Sequence, residues 1–340
     1  MAFIPNARAD TLGNIIIFSY HISIQENMKI LVNSALAIPM PPNKYAGIER
    51  LCYEYALELN RLGHQVSITS PEESKIPFGI EHIPTLIGGA NAEIESSPRY
   101  KDRLKEWDVI LDLSHYHVPA TIMPELPTLN IFWHDPYIAQ YQQPKKNIIA
   151  LSQYGKEAFE YIYQQEALHQ ETIICNSALY AFNGKRNDRL LSVGLMSQTK
   201  GHLEAIRFAR KLDMPLDVVG GRMPDDSPDY ENTVKSLCNG KINYVGNCSD
   251  DDKIELMRSC RGLIYPVCQL EIHSHKSVET MMTGCAVVTY DLGALKEVVG
   301  ECGFVVKTEK EFLTAMERID TIDNAKVREW AMKWDAEKII

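Results

Sequence analysis

The sequence predicts an α/β protein with two doubly wound parallel sheets that face each other across a central cleft. Short β-branched runs alternate with amphipathic segments, a pattern typical of parallel sheets covered by helices on both faces. The alternation starts at Met28 and starts again after a polar stretch, Ser177 to Arg189, that has neither a helical nor a strand period. A chain of 340 residues also favours two domains. Ligands of such sheets bind beyond the carboxyl ends of the strands, so we expect the site in the cleft.

The first half contains five predicted strands and one well-defined helix. The strands are "MKILVNS", the run Val66–Thr69, "DVILDLS", "TLNIFWHD" and "NIIALS". Apolar residues from Ile48 to Leu59 recur with helical spacing, and Gly63 ends that helix. In the second half the predicted order is strand "RLLSVGLM", helix "GHLEAIRFARKL", strand "PLDVVGG", strand "INYVGN", a helix from Ser249 to Ser259, strand "RGLIYPV", a helix around Glu279 and strand "CAVVTY".

Composition narrows the class of protein. A hydrophobic content of 45% and a charged content of 24% are ordinary for a soluble globular chain, and a net charge of −10 argues against nucleic acid as a partner. The eight cysteines form no CxxC pair and several lie in apolar runs, so we expect reduced thiols and a cytoplasmic protein. The apolar N-terminal run "GNIIIFSYHISI" is too short to span a membrane and lacks the features of a signal peptide, so residues 1–27 are interpreted as an extension.

Two loops that follow strands predict phosphate binding. "IPMPPNKYAGIERL" joins the first strand to its helix, and Gly47 would allow a ligand to approach the backbone. "SVGLMSQTKGHLEAI" leaves a strand at Gly194 and carries Lys200 to the start of the next helix. An ordinary loop and a solvated surface lysine are the alternatives.

Histidines and glutamates supply the other candidate site residues. His134 ends a buried strand and should face the cleft, although a core histidine is the alternative. The pairs His115/His117 and His273/His275 do not complete a metal site. Glu271 precedes a helix and Glu279 lies inside it, so a diphosphate at the helix amides would have one carboxylate at each end. Carboxylates suit the hydroxyls of a sugar and a ribose.

These motifs together resemble the retaining glycosyltransferases of the GT-B fold, family 4. Glu271 and Glu279 match the family's E-x7-E signature, and "ETMMTGCAVVTYDLGALKEVV" follows its "EAMACGxPVVAxxxGGxxEVV" pattern. "YAGIER", "WHD", "IALSQYGKEAF", the pair Lys200-Gly201 and "GFVV" match further segments. The resemblance covers nearly the whole chain after residue 27.

The resemblance implies two Rossmann-like domains with separate roles. Residues 28–185 would bind the acceptor, residues 186–324 the nucleotide-sugar, and residues 325–340 would form a helix that crosses back to the first domain. The implied reaction moves a hexose-like sugar from a nucleotide-diphosphate sugar, UDP- or GDP-linked, to a hydroxyl of a glycan, lipid or small molecule, with retention. Neither a metal nor another cofactor is implied, and peripheral membrane contact stays open.

Roles for individual residues also follow from the resemblance. Lys200, His134 and Glu271 would be catalytic: Lys200 neutralises the departing diphosphate, while His134 and Glu271 contact the donor sugar. Glu279 would bind the ribose. The remaining donor-binding candidates are Gly47, Gly194, His273, Ser274, His275, Lys276 and Arg222.

The chain departs from the family at two places. Leu195 stands after Gly194 where the family usually has arginine, and the loss of one charged hydrogen bond would cost about 1.5–3 kcal/mol. We hypothesise that Lys276 or Arg222 supplies the missing charge. "IHS" replaces the frequent "PFG" after Glu271, so the identity of the sugar does not follow.

Other functions remain as alternatives. Leu195 favours a catalytically weak or inactive nucleotide-sugar-binding protein as the main alternative. A nucleotide-sugar epimerase would share the architecture, and a glycogen-type phosphorylase would need a pyridoxal lysine and usually a longer chain. A dehydrogenase is disfavoured because neither half has GxGxxG after its first strand.

Overall fold

A computed structural model of the chain describes residues 27–42, 46–133, 146–169, 173–223 and 226–340. Most of the proposed N-terminal extension and His134 lie outside these ranges. Two all-parallel sheets with helices packed on them form the framework of the described part. This arrangement agrees with the predicted fold class.

The first sheet has seven strands. They are β1 (Lys29–Asn33), β2 (Gln65–Pro71), β3 (Ile80–Thr85), β4 (Val109–Asp112), β5 (Thr128–Phe132), β6 (Ile148–Ala150) and β7 (Leu168–His169). Their order is β3-β2-β1-β4-β5-β6-β7. The helices of this half are α1 (Ile48–Arg61), α2 (Ala90–Ser96), α3 (Val118–Ile122) and α4 (Gln153–Tyr163). The sequence pattern predicts the five inner strands but not the edge strands β3 and β7, because an edge strand tolerates Pro84 and needs no continuous apolar run.

The second sheet has six strands. They are β8 (Leu190–Val193), β9 (Leu216–Val219), β10 (Ile242–Gly246), β11 (Gly262–Tyr265), β12 (Val287–Tyr290) and β13 (Gly303–Val306). Their order is β10-β9-β8-β11-β12-β13. The accompanying helices are α5 (His202–Lys211), α6 (Asp229–Leu237), α7 (Asp250–Ser259), α8 (His275–Met282), α9 (Leu295–Val299) and α10 (Glu309–Arg318).

Strand order places a switch point in each sheet. In the first sheet the chain runs outward from β1 in one direction and from β4 in the other, and in the second sheet it does so from β8 and β11. Connections on the two sides of a switch point lie on opposite faces of the sheet, which opens a crevice at the carboxyl ends of the strands. The loops that follow β8 and β11 therefore border such a crevice.

The core includes strand residues from the inner strands of each sheet, which helices cover on both faces. Leu190, Leu263 and Val287 are each 0% exposed, and each belongs to a different neighbouring strand. Such continuous apolar strands are expected when helices cover both faces of a parallel sheet. Among the described residues, none of the helices combines the length and the apolar character needed to cross a bilayer.

The C-terminal segment corrects one prediction. Instead of a single helix over residues 325–340, the chain forms α11 (Asn324–Ala331), a short 3-10 turn and α12 (Ala336–Ile339). Asp335 is extended and pairs with Cys175 in a parallel bridge, and its carboxylate accepts a hydrogen bond from Ser177 Oγ at 2.9 Å. These contacts explain why the helix is interrupted there.

Candidate active site

A cavity of about 180 Å³ lies at the switch point of the second sheet. Two lining residues belong to the loop before α1, one ends β8, and the others follow β8 and β11 or lie on α7 and α8. They are Ala46, Gly47, Val193, Gly194, Lys200, Lys253, Glu271, His273, Ser274, His275, Lys276 and Glu279. The structure thus brings most of the predicted site residues to one cleft that both halves of the chain border.

The loop between β8 and α5 delivers Lys200. The next residue, Gly201, has a φ of +74°, and a Cβ at that position would lie 2.1 Å from the carbonyl oxygen of Pro266. Only glycine fits this close contact with the loop that follows β11. The resulting turn places Lys200 Nζ 2.5 Å from Glu271 Oε1.

Hydrogen bonds hold the side chain of Glu271 in place. Its Oε1 accepts hydrogen bonds from the Tyr265 hydroxyl at 2.8 Å and from Gln269 Nε2 at 3.1 Å. Burial opposes ionisation of the carboxyl group, but the charges of Lys276 and Lys200 outweigh it and lower its pKa. Glu271 is therefore a carboxylate at neutral pH and can only accept hydrogen bonds.

Lys276 lies on the first turn of α8 and points towards the β8–α5 loop. Its Nζ donates to the Tyr265 hydroxyl at 2.8 Å, and a Cβ on Gly194 would lie 3.6 Å from its Cε. Burial, together with the charge of Lys200, lowers the pKa of Lys276 to about 7. About half of the Lys276 amines are therefore charged at pH 7. They lie beside Gly194, and the next residue, Leu195, stands where the family that the sequence resembles has arginine.

Glu279 is buried one turn further along α8. Its Oε1 accepts hydrogen bonds from Lys253 Nζ at 3.0 Å and from the Tyr180 hydroxyl. Burial opposes ionisation, but Lys253, His275 and the Tyr180 hydrogen bond lower the pKa of Glu279 to about 2. The carboxylate is therefore ionised and can only accept hydrogen bonds.

The start of α8 is arranged for an anion. Ser274 is the N-cap residue, and no side chain among the described residues caps this helix. Uncapped amides and the helix dipole favour negative charge at such an end. Burial lowers the pKa of His273 to about 3 and also lowers that of His275. Both imidazoles are accordingly neutral at pH 7.

The remaining predicted residues have different positions. Gly47 is the N-cap residue of α1, and a Cβ there would meet no atom within 4 Å, so the space beside it opens into the cleft. Arg222 is exposed and does not line the cavity. Its guanidinium donates to the carbonyl of Asp226 at 2.9 Å and lies 3.6 Å from Glu231. The prediction for His134 falls outside the described residues.

Three residues of the site had no signal in the sequence. Lys253 follows three aspartates on α7 and resembles part of a solvated helix face. Tyr180 lies in the polar linker between the sheets, and Tyr265 ends an apolar strand. Each of the three forms a hydrogen bond to Glu271 or Glu279, which lies on another element. A local sequence pattern does not reveal such a pairing. In the described part of the chain, no group of three or more His, Cys, Asp or Glu side chains is arranged to hold a metal ion.

Comparison with known proteins adds independent information about this site. Residues 187–320, which contain Lys200, Glu271, Lys276 and Glu279, match the family model for glycosyl transferases group 1. The O-antigen chain mannosyltransferase C of Escherichia coli is 22% identical over 266 residues, which are 66% of this chain and 70% of that protein. These matches support a group 1 glycosyltransferase.

Solved structures of glycosyltransferases share the fold of this chain. AviGT4, an enzyme involved in avilamycin A biosynthesis, superposes with a TM-score of 0.71 at 21% identity, covering 92% of this chain and 94% of AviGT4. A glycosyltransferase from Rickettsia africae gives 0.68 at 18% identity, covering 93% and 96%. HepE from Anabaena, solved with UDP and glucose, gives 0.69 at 16% identity, covering 92% and 97%. Two Rossmann-like domains in the GT-B arrangement therefore describe the architecture.

Proposed function

We propose that this protein is a retaining glycosyltransferase of family 4, which moves a sugar from a nucleotide-diphosphate sugar to an acceptor hydroxyl without a metal ion. The observation that supports this most strongly is the convergence of Lys200, Glu271, Lys276 and Glu279 on one cleft at the switch point of the second sheet. Two cations and two carboxylates there match the charges of a diphosphate and the hydroxyls at its two ends.

The cations and the start of α8 would bind the diphosphate. Lys200 is paired with Glu271 in the structure, so an arriving diphosphate would replace one anionic partner of Lys200 with another. Lys276 and the amides at Ser274 and His275 would add positive potential on the same side. Stabilisation of charge on the departing diphosphate by preorganised groups is electrostatic catalysis.

The carboxylates would orient the two ends of the donor. Glu271 would accept hydrogen bonds from hydroxyls of the donor sugar once Lys200 turns to the phosphates. Among the described residues, the hydrogen bonds of Lys253 and Tyr180 to Glu279 both go to Oε1, so Oε2 would accept from a ribose diol. Lys253 and Tyr180 would keep that carboxylate ionised and in place.

A hexose carried by UDP or GDP is the proposed donor class. HepE is solved with UDP-glucose, and the Escherichia coli relative is a mannosyltransferase, so both nucleotides belong in a first screen. The acceptor would approach from the first half, whose loops near Gly47 border the cavity. Attack from the leaving-group face, with a phosphate oxygen taking the proton, would retain the anomeric configuration. His134 keeps its predicted role as a contact to the donor sugar.

The test is a Lys200→Ala variant assayed for nucleoside diphosphate release with panels of UDP- and GDP-hexoses and acceptors. Loss of one charged contact in the transition state should lower kcat by roughly tenfold to a few hundredfold, more than it raises the donor KM. Lys241→Ala serves as the control, because Lys241 is paired with Asp213 on the surface. NMR of the product should show the donor's anomeric configuration.

An unchanged kcat would remove Lys200 from the mechanism, and an inverted product would contradict retention. An inactive nucleotide-sugar-binding protein, the alternative suggested by Leu195, would bind the donor but release no nucleoside diphosphate. The position of Lys276 beside Gly194 supports the active enzyme instead.

A further inference from the structure

Glu297, on α9, contacts the other half of the chain. Its Oε2 accepts a hydrogen bond from the amide of Gln153, and its Oε1 accepts one from the amide of Tyr154, both at 2.8 Å. These amides are the first two of α4, which follows β6 in the first sheet. The side chain of Ser152 caps the next amide, that of Gly155, at 2.9 Å. One carboxylate from the second half thus completes the N-terminus of a helix in the first half.

This contact has a favourable electrostatic basis. Both hydrogen bonds involve an ionised acceptor, and the carboxylate lies at the positive end of the α4 dipole. Glu297 is also exposed, so dissolved salt should weaken the contact. A contact that is favourable but not buried can form and break as two domains move.

The start of α9 also fixes the main chain of Glu271. The amide of Ala294 donates to the carbonyl of Glu271 at 2.7 Å, and Glu271 pairs with Gly293 in a parallel bridge. Gly293 has a φ of +65°, and a Cβ on it would lie 2.3 Å from that same carbonyl oxygen. Glu297 is only three residues beyond Ala294, so any displacement of its short helix reaches the Glu271 backbone directly.

The first turn of α4 also lies close to the loop that carries Glu271. A Cβ on Gly155 would lie 3.7 Å from the Cβ of Ile272, the residue that follows Glu271. The α4 turn therefore meets the Glu271 loop at Ile272 and meets α9 at Glu297. The hydrogen bonds of Glu297 and the proximity of Gly155 to Ile272 connect the first half of the chain to the loop that carries Glu271.

We propose that Glu297 is a positioning residue that couples closure of the two halves to the placement of Glu271. With Glu297 bound to α4, the first turn of α4 stays beside Ile272 and restricts the loop to the position where Glu271 meets Lys200. Without that contact, α4 can withdraw and the loop gains freedom. The kinetic part of this inference rests on the proposed function, whereas the structural coupling does not.

Hydrogen-exchange mass spectrometry of the full chain tests the coupling without any nucleotide. Glu297→Gln should speed exchange at Gln153 and Tyr154 by about twofold to fivefold, the range expected for a charge at a helix end. The decisive expectation is a parallel increase in peptides that contain residues 271–274. Glu297→Asp keeps the charge on a shorter side chain, so its exchange rates should lie between those of the wild type and of Glu297→Gln. Glu301→Gln makes the same chemical change at an exposed carboxylate just after α9 and should match the wild type.

A kinetic measurement forms the second arm. Glu297→Gln should lower kcat/KM for the donor by about twofold to fivefold, and higher ionic strength should reduce the difference from the wild type. Faster exchange at Gln153 and Tyr154 with wild-type exchange at residues 271–274 would overturn the inference, because Glu297 would then only cap α4. If no nucleotide-sugar binds to the wild type, the proposed function fails. The hydrogen-exchange measurement would still test whether Glu297 is coupled to the Glu271 loop.

Discussion

At the scale of single residues, the chemistry of the site depends on how burial and charge balance at Lys276. Its amine is buried beside Lys200, Glu271 and Tyr265. It also lies next to the loop in which Leu195 stands where the family that the sequence resembles has arginine. Burial favours the neutral amine, which leaves the pKa at about 7 rather than near 10.5. A diphosphate would favour the charged form, so the protonation of Lys276 and donor binding should be linked.

We expect affinity for UDP or GDP to fall as the pH rises above 7. Below pH 7 the amine is already charged, and above it each binding event must take up a proton, which weakens binding by up to about tenfold per pH unit. Lys276→Ala should weaken binding at pH 7 and remove most of this dependence. Isothermal titration calorimetry in buffers of different ionisation enthalpy would measure both quantities.

Arg222→Ala is the matched comparison, because Arg222 is the other proposed source of the missing charge. Its guanidinium contacts Asp226 and Glu231 at the surface, outside the cavity lining, so we expect a smaller effect on affinity. A larger loss with Arg222→Ala than with Lys276→Ala would reverse the assignment.

At the scale of structural elements, close main-chain contacts between loops set the position of the side chains. Gly201 brings the β8–α5 loop against Pro266, and Gly293 brings the loop after β12 against Glu271. Both glycines have positive φ and lack the space for a Cβ. The helices and strands are rigid, and these two main-chain contacts fix the positions of the loops between them.

Gly293→Ala should destabilise the protein and weaken donor binding. The left-handed conformation alone costs an L-residue about 1–2 kcal/mol, and the Cβ would overlap with the Glu271 carbonyl oxygen. Chemical denaturation would measure the free energy of unfolding. Gly47→Ala is the control: its φ is −88° and a Cβ meets nothing within 4 Å, so its free energy of unfolding should stay level or rise slightly. Equal losses for the two variants would contradict this account of Gly293.

At the scale of the whole molecule, charged contacts hold the two halves of the chain together around the cleft. Arg50 on α1 pairs with Asp250 on α7, and Glu297 on α9 pairs with the amides of α4. Both pairs are partly accessible to water, so each stabilises the closed arrangement only modestly. A ligand that both halves contact would add to this stabilisation.

A nucleotide that binds in this cavity should therefore raise the melting temperature of the whole protein. At about 100 times its dissociation constant, a ligand that binds only the folded form stabilises it by about 2.7 kcal/mol. Because Gly47 from the first half lines the same cavity as Glu279, both halves should melt later. Differential scanning calorimetry with UDP and GDP would show this, and a shift confined to one of two transitions would place the ligand within one half alone.

The sequence by itself determined the alternation of strands and helices, the two-sheet architecture and the paired glutamates at positions 271 and 279. These features depend on local sequence. Periodicity indicates which face of an element is buried, and a loop followed by a helix indicates where an anion can bind. Lys200 and Lys276 were also accessible to sequence reasoning, because each lies in or next to such a loop.

Only the tertiary structure decided which side chains meet. Tyr180 and Lys253 reach Glu279 from 99 and 26 residues away, and Glu297 reaches α4 from 144 residues away. The edge strands β3 and β7 of the first sheet and the break near Asp335 were missed for the same reason, since they depend on pairing with distant segments and not on local preference. The orientation of each helix on its sheet selects one side of that helix for the cleft, and that orientation arises from packing over the whole chain.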